Sequence, residues 1–325
     1  MMRCPPFAYV APKSVDEVAA ILAGEGPRAR VLAGGTDLVP NMKRRHQNPT
    51  LLVSLRRVAE LRERANGAGA TLGAAVTLAE IAADDRLAPW RALRCAASSV
   101  ATEHIRNVGT LGGNLCLDTR CNYYNQNYEW RKAIDFCMKE AGDTCWVAPG
   151  SPRCWAVSST DTAPALIALD ARVELVSASG ARDIPLAELY ADDGIHYLTR
   201  RPDELLARVI LPDRSGWVST YWKCRRRGSI DFPVLSVAAA ARIDGGVVRD
   251  ARIVFGAVSS RPIASEAAAV LVGQPLSDEA IDACAAAAAK VAKPLDNTDY
   301  TISWRKKVAR AYVAGALREL RELSA

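Results

Sequence analysis

Thr110-Leu111-Gly112-Gly113-Asn114 is a glycine turn that runs straight into a cysteine-rich segment unlike anything else in the chain. Four cysteines of that segment, Cys121, Cys137, Cys145 and Cys154, are separated by fifteen, seven and eight residues, and Cys116 lies just upstream. Adjacent glycines let a backbone turn with its N–H groups outward, which makes a nest for a phosphate. Soft thiolates therefore stand beside a candidate anion site.

Structural zinc usually takes its ligands from short knuckles, and none of the four cysteines has a partner that close. A disulfide framework needs an oxidising compartment, but Met1-Met2-Arg3-Cys4-Pro5-Pro6 has no apolar signal core, and nine cysteines cannot all pair within one chain. A cubane iron–sulfur cluster accepts thiolates from a long loop, because the cluster fixes where the sulfurs meet. Buried free cysteines behaving as small hydrophobes are the plain alternative. Spacing alone leaves cluster, zinc and buried thiols open. The run Asn122 to Arg131 is polar and aromatic without helical or strand periodicity, and Pro149, Gly150 and Pro152 break the chain again before Cys154. Such a loop has no core face of its own, so a metal centre is a source of order for it.

Upstream, Ser14-Val-Asp-Glu17 reads as a capping box for a helix over Val15–Leu22, closed by Gly24 and Gly26. A strand over Arg28–Leu32 leads into Ala33-Gly34-Gly35-Thr36-Asp37-Leu38, a second nest in which Thr36 adds a hydroxyl. Two nests on separate segments suit a diphosphate. Strands are expected at Leu51–Leu55 and Ala70–Val76, and helices at Val58–Arg64, after the Thr77-Leu-Ala-Glu80 box and over Leu87–Ala101. Gly67, Gly69 and Gly73 miss the dinucleotide fingerprint by one residue, which excludes that site. His104 reads as structural, since no triad or ligand partner accompanies it.

Downstream, Ser158-Ser159-Thr160-Asp161 precedes a helix over Ala163–Leu169, and Arg172–Val176 with Arg182–Ile184 reads as a hairpin. From Trp217 the pattern changes to three long strands, Trp217–Arg227, Val234–Ile243 and Val247–Val258, the last two joined by Asp244-Gly245-Gly246. Helices are expected at Pro262–Leu271, Asp278–Ala292 and Tyr300–Leu323. Lys223, on the first of these strands, is either an exposed residue or a cation for a ligand of the first domain.

The 325 residues suffice for two or three domains, and half of them are apolar, which marks a globular chain. No run approaches the roughly eighteen apolar residues of a membrane span, so a soluble, cytoplasmic protein is expected. A formal charge of +6 does not imply nucleic acid; Lys43-Arg44-Arg45, Arg225-Arg226-Arg227 and Arg305-Lys306-Lys307 read as solvated faces. The cysteine loop itself is nearly neutral, with five basic residues (Arg120, Arg131, Lys132, Lys139, Arg153) against four acidic ones (Glu129, Asp135, Glu140, Asp143).

Together the two glycine turns, the Asp161 segment and Lys223 through Asp231-Phe232-Pro233 resemble the FAD-binding subunits of the molybdenum hydroxylase (xanthine oxidase) family over nearly the whole chain. The resemblance implies an α+β fold. A PCMH/VAO-type FAD-binding domain of two subdomains would occupy residues 1–214, with an iron–sulfur loop inserted at about 116–156. Residues 215–325 would form a C-terminal domain of three-stranded antiparallel sheet plus helices, of the CO dehydrogenase flavoprotein type. FAD contacts are implied at Arg30, Val31, Leu32, Ala33, Gly34, Gly35, Thr36, Asp37, Val100, Thr110, Leu111, Gly112, Gly113, Asn114, Asp161 and Lys223.

The inserted loop is similar to that of the beta subunits of 4-hydroxybenzoyl-CoA reductases, which implies a [4Fe–4S] cluster held by Cys121, Cys137, Cys145 and Cys154, with Cys116 not a ligand. The implied activity is ferredoxin-dependent reductive dehydroxylation of 4-hydroxybenzoyl-CoA to benzoyl-CoA, in anaerobic aromatic degradation. No catalytic residue is expected in this chain. A large subunit would hold the molybdenum cofactor and a small one [2Fe–2S] clusters, in a dimer of heterotrimers. The alternative is an FAD subunit of another molybdenum hydroxylase, passing electrons outward.

Overall fold

The computed structural model describes residues 3–324; Met1 and Met2, which open the N-terminal stretch read above, and Ala325 lie outside the described residues. Strands β1 (Ala8–Val10), β2 (Ala29–Leu32) and β3 (Leu51–Ser54) form a small parallel sheet in the order β1-β3-β2. Tyr9 and Arg30 both register on Leu52 of the central strand. Parallel strands need crossovers, and the helix Val15–Glu25 carries the chain from β1 to β2, the two strands flanking β3, burying Val18 and Leu22 against Val53, Leu55 and Leu61. Ser14 caps that helix through the Glu17 N–H, but the Glu17 carboxylate turns to the Lys13 N–H instead, so only half of the expected box is made. The Thr77–Glu80 box is complete.

A second, antiparallel sheet holds β4 (Arg64–Asn66), β5 (Ala70–Gly73), β6 (Arg172–Ser177), β7 (Gly180–Pro185) and β8 (Leu205–Leu211), in the order β4-β5-β8-β6-β7. Its core includes Leu72, Val173 and Val209 with Leu93 and Leu166 of the helices Arg91–Ser99 and Thr162–Ala168. A third sheet, β9 (Trp217–Cys224), β10 (Leu235–Asp244), β11 (Val247–Gly256) and β12 (Ile263–Ser265), runs antiparallel in the order β12-β11-β10-β9. The helices Asp278–Ala288 and Ile302–Leu323 cover it.

The alanines of β10 explain how these layers join. Ala238 and Ala240 belong to the core of the second sheet, whereas Val237, Ala239 and Ala241 belong to that of the C-terminal helices. Strand alternation thus buries both faces, and small side chains let a layer approach from each side. Gly256 continues the theme, because a Cβ there would lie 2.7 Å from Pro164 of the Thr162–Ala168 helix.

The α+β architecture follows the expectation, with local differences. The stretch read as a helix over 262–271 begins as β12, whose Ile263 pairs with Phe255, and continues as a 3-10 turn. The C-terminal sheet therefore has a fourth, short edge strand. Pro89 divides the helix expected over 87–101 into a 3-10 segment, Asp85–Trp90, and the helix Arg91–Ser99. Strands β1, β4 and β8 had not been anticipated. The cysteine loop contains one short helix, Tyr128–Ala133, capped by Asn127. Among the described residues no helix is long and apolar enough to cross a membrane.

Candidate functional site

The first glycine turn carries the chain from β2 into the short helix Leu38–Lys43. Every residue from Val31 to Val39 is half-buried, an open lining rather than a core. The amides of Gly34, Gly35, Thr36 and Asp37 donate to no acceptor among the described residues. Gly35 sits at φ +71, where a side chain would be strained. Four unpaired donors on one turn fit the diphosphate of a dinucleotide, which is the chemistry FAD would bring. Gly34 also brings the turns together, since a Cβ on it would lie 2.0 Å from the Val108 carbonyl oxygen. Val31, Leu32 and Ala33 flank this lining. Arg30 is exposed, its guanidinium on the Ala29 carbonyl oxygen at 3.2 Å. Asp37 is not free, because its carboxylate accepts from Arg120 and from the Asn41 amide at 3.0 Å.

The second turn is placed beside the first but works differently from the nest expected of it. The Leu111 and Gly112 amides donate to the Val76 and Ala74 carbonyls at 2.9 and 2.8 Å, Gly113 donates to the Thr110 hydroxyl, and Asn114 to the Thr110 carbonyl. Among these five residues the Thr110 amide alone lacks an acceptor. Hydrogen-bonding capacity here is spent on anchoring. Asn114, buried, accepts through Oδ1 from the Thr160 and Thr162 hydroxyls and the Thr162 amide, which ties the turn to the Asp161 segment. Val100 lies half-buried after the helix Arg91–Ser99.

Asp161 and Lys223 meet, as an internal pair. Lys223 Nζ donates to Asp161 Oδ2 at 3.0 Å, with 3% of each side chain exposed, and the Tyr221 hydroxyl donates to Oδ1 at 2.7 Å. Burial pushes the Asp161 carboxyl up, against the pull of Lys223 and of the Tyr221 hydroxyl. Lys223 also donates to the Ser99 carbonyl, as does Arg225. Next to this pair a groove of about 400 Å³ is lined by Ala101, His104, Arg106 and Arg225 among others. His104 is thus an exposed wall of a cleft and not a core histidine.

The cysteine loop closes at a neck where Arg120 and Val157 exchange backbone hydrogen bonds of 2.8 and 2.7 Å. Inside it, Cys121, Cys137, Cys145 and Cys154 are all buried. Cys121, Cys137 and Cys154 pack with Tyr124 and Ala156 in one group. The neighbouring Cys145 and Cys154 thiols move in opposite directions, Cys145 held low and Cys154 pushed up, and the Ala156 amide donates to the Cys154 sulfur at 3.4 Å. Burial pushes Cys121 up to about 11. Gly194 lies against Cys154, where a Cβ would come within 2.6 Å of the sulfur. Cys116 stands apart, half-buried at the end of the second turn. All nine cysteines are free thiols.

Three ion pairs involve the loop's basic residues, namely Arg120 with Asp37, Arg131 with Glu140, and Lys139 with Asp118 at 2.9 Å. Lys139 also donates to the Thr119 hydroxyl and the Gly194 carbonyl oxygen. His46 stacks on Tyr124 with ring centroids 4.2 Å apart, and burial with nearby Arg131 lowers its pKa to about 4. Both His46 nitrogens, Arg120 Nε, Asn125 Oδ1 and Arg131 Nε are buried without partners. Buried thiols with one amide aimed at sulfur, unpaired Arg120 and Arg131 nitrogens in the same loop and those of His46 stacked on it are chemistry that a thiolate-bound cluster, whose sulfides accept hydrogen bonds, would use. Among the described residues no group of three or more His, Cys, Asp or Glu side chains is drawn together as a metal site, so the four sulfurs lie near one another without forming a coordination set. Tyr221, Arg120 and Gly194 were not anticipated as site residues. Only Arg120, next to Cys121, had a positional clue.

Comparison with known proteins bears on this geometry. Residues 5–214 match the model of the FAD binding domain in molybdopterin dehydrogenase, and residues 219–320 that of the CO dehydrogenase flavoprotein C-terminal domain. The chain is 33% identical over 273 residues to the aldehyde oxidoreductase FAD-binding subunit of Escherichia coli, covering 79% of this chain and 83% of that one. It is 30% identical over 308 residues to the carbon monoxide dehydrogenase medium chain of Afipia carboxidovorans, covering 93% and 92%. The solved carbon monoxide dehydrogenase of Hydrogenophaga pseudoflava superposes with a TM-score of 0.81 at 26% identity, over 100% of both chains. The chain belongs to the FAD-binding subunits of the molybdenum hydroxylase family, the family of the carbon monoxide and xanthine dehydrogenases.

Proposed function

We propose that this chain is the electron-entry subunit of a molybdenum-dependent 4-hydroxybenzoyl-CoA reductase, holding FAD in its first domain and a [4Fe–4S] cluster on Cys121, Cys137, Cys145 and Cys154. What supports the reading is that all four cysteines are buried within one loop, with Cys121, Cys137 and Cys154 packed in a single group. When bound, FAD supplies one- or two-electron exchange and the cluster one-electron exchange. The chain's own residues bind and orient. The Gly34–Asp37 amides are donors for the diphosphate, Val31 to Ala33 and Val100 line its approach, and the second turn from Thr110 to Asn114 holds the first in place. Asp161 and Lys223 brace the wall behind them. The buried loop keeps water from the sulfurs.

The molybdenum cofactor would reside in a large partner subunit and [2Fe–2S] clusters in a small one, in a dimer of heterotrimers in the cytoplasm, with reduced ferredoxin as donor. Relatives named as medium chains or FAD-binding subunits support such an assembly. A second reading, an FAD subunit passing electrons outward from an oxidised substrate, is favoured by relatives named for aldehyde, carbon monoxide and xanthine. Anaerobic assay of iron, sulfide and flavin separates the two. About four irons and one FAD per chain are expected, and Cys137→Ser should lose iron while retaining most FAD. Wild-type chain with FAD and no iron would leave the second reading.

A further inference from the structure

The cysteine loop offers no attraction to an anionic partner. Arg120, Arg131 and Lys139 are engaged inside, which leaves Lys132 and Arg153 against the exposed Glu129, Asp135 and Asp143. Beside the loop the sign changes. Residues 289–295 and the start of the helix Ile302–Leu323 border a groove of about 480 Å³ rimmed by Lys290, Lys293 and Lys306. All three are exposed, as are Lys307 and Arg310. The opposing charges are Asp296 and Asp299, and Asp299 is held by Arg226 at 2.7 Å. Tyr300 and Trp304 stack at 4.2 Å between centroids, with 41% and 39% of their surface exposed. A cationic rim around an apolar groove floored by Ala289, Ala292, Pro294, Leu295 and Ile302 is how a docking surface differs from a merely solvated face.

This ledge is locked to the loop. Asn297, buried, accepts the N–H of Asn122, next to Cys121, at 3.0 Å and donates to the carbonyl oxygen of Trp155, next to Cys154, at 2.6 Å. Arg305, read from sequence as part of a solvated cluster, is fully buried and clamps the Leu295, Val234 and Ala257 carbonyls at 2.8, 2.9 and 2.6 Å. A partner seated on the ledge stands beside the segments that carry Cys121 and Cys154.

We propose that the ledge formed by Lys290, Lys293 and Lys306 around this groove is the docking surface for a small acidic one-electron carrier protein. The proposal rests on the electron-entry reading above and places that entry on the C-terminal domain. Each encounter oxidises the carrier by one electron and reduces this subunit by one, with no bond made or broken. Opposite charge steers the encounter, and steering of this kind raises association rates by roughly 10- to 1,000-fold at low salt.

The test uses the assembled complex with Lys290→Glu, Lys293→Glu and Lys306→Glu combined, and reduced plant-type [2Fe–2S] ferredoxin as the probe. Flavin bleaching is followed by stopped flow across ionic strength. The variant should react about 10- to 100-fold more slowly at low salt and lose its salt dependence, while reduction by dithionite, which needs no docking, is unchanged. A rate within about twofold of wild type at low salt overturns the proposal. So does protection of the three lysines from acetylation in the assembled complex, which would mean that another subunit covers them. Iron is measured on the same samples. Iron present with an unchanged rate sinks the ledge alone; iron absent with a slowed variant sinks the cluster alone.

Discussion

Replacing Lys223 with Met tests what the Asp161–Lys223 pair contributes. The Nζ–Oδ2 distance is 3.0 Å, and 3% of each side chain is exposed, so solvent screening is slight. Removing the ammonium leaves Asp161 with one strong donor, the Tyr221 hydroxyl at 2.7 Å. The Ser99 carbonyl is not orphaned, since Arg225 also donates to it at 3.2 Å. The cost is therefore that of an uncompensated buried carboxylate, about 3–5 kcal/mol near neutral pH. Its pH dependence has a definite sign. Burial already holds the folded-state carboxyl above its unfolded value, so Asp161 favours the folded chain below the unfolded value and that contribution is lost as pH rises through the folded one. Without Lys223 the folded-state value rises further. The urea midpoints of variant and wild type should therefore approach each other on acidification and separate toward about pH 8. Asp161→Asn in the Lys223→Met background should recover most of the loss, because it removes the stranded charge. A gap that is constant with pH, or smaller than about 1 kcal/mol at pH 8, would refute the reasoning.

Two further substitutions probe the halves of the site. Gly34→Ala places a methyl 2.0 Å from the Val108 carbonyl oxygen and must force the two turns apart, so FAD affinity should drop by at least about tenfold while far-ultraviolet circular dichroism is retained. Equal FAD retention after gel filtration would count against the first turn as the diphosphate site. His46, lowered to about 4, should show no imidazole titration by NMR above about pH 5, and the loop should lose stability progressively as pH falls from the unfolded value of about 6.5 to that lowered one, because burial and Arg131 oppose charging the stacked ring. A midpoint near the ordinary value of about 6.5 would mean the ring is not packed on Tyr124.

What sequence made legible was local chemistry. The Asp244-Gly245-Gly246 hairpin has both glycines at positive φ, 58° and 75°, as its turn type requires. The Thr77–Glu80 box is likewise a property of a few adjacent residues. Strand β8 escaped notice for a physical reason. Leu205 to Leu211 is central in its sheet and buried nearly throughout, so it lacks the alternation that marks a strand with one wet face. Glu266 to Ala269 looks helical by composition, but pairing of Ile263–Ser265 with β11 sets the entry and leaves a 3-10 turn. Loop charges were counted as surface charges when the side chains of three of the five basic residues are at most 10% exposed and ion-paired, with partners as distant in sequence as Asp37 is from Arg120. The second turn had the residues of a nest. Only the positions of Ala74 and Val76 decide that its amides face inward.

The same contacts explain how a long loop can enter this fold without disturbing it, and why it is nonetheless not an independent module. The neck residues Arg120 and Val157 already pair, so the scaffold keeps its geometry and the added chain costs mainly closure entropy, which grows slowly with length. Order inside the loop must then come from within, and its small apolar group of Cys121, Tyr124, Cys137, Cys154 and Ala156 is too slight to supply it. Buried ion pairs add specificity more than stability, so a group held by the four sulfurs, as proposed above, would be the main source of cohesion. Arg120 couples that cohesion to the flavin side. Its backbone closes the neck, its guanidinium meets Asp37 at the end of the Gly34–Gly35 turn, and it lies 4.6 Å from the centroid of the Phe232 ring of the C-terminal domain. One side chain thus sets the loop, the diphosphate turn and the second domain in fixed relation, and a change in the order of any one must be felt by the others through it.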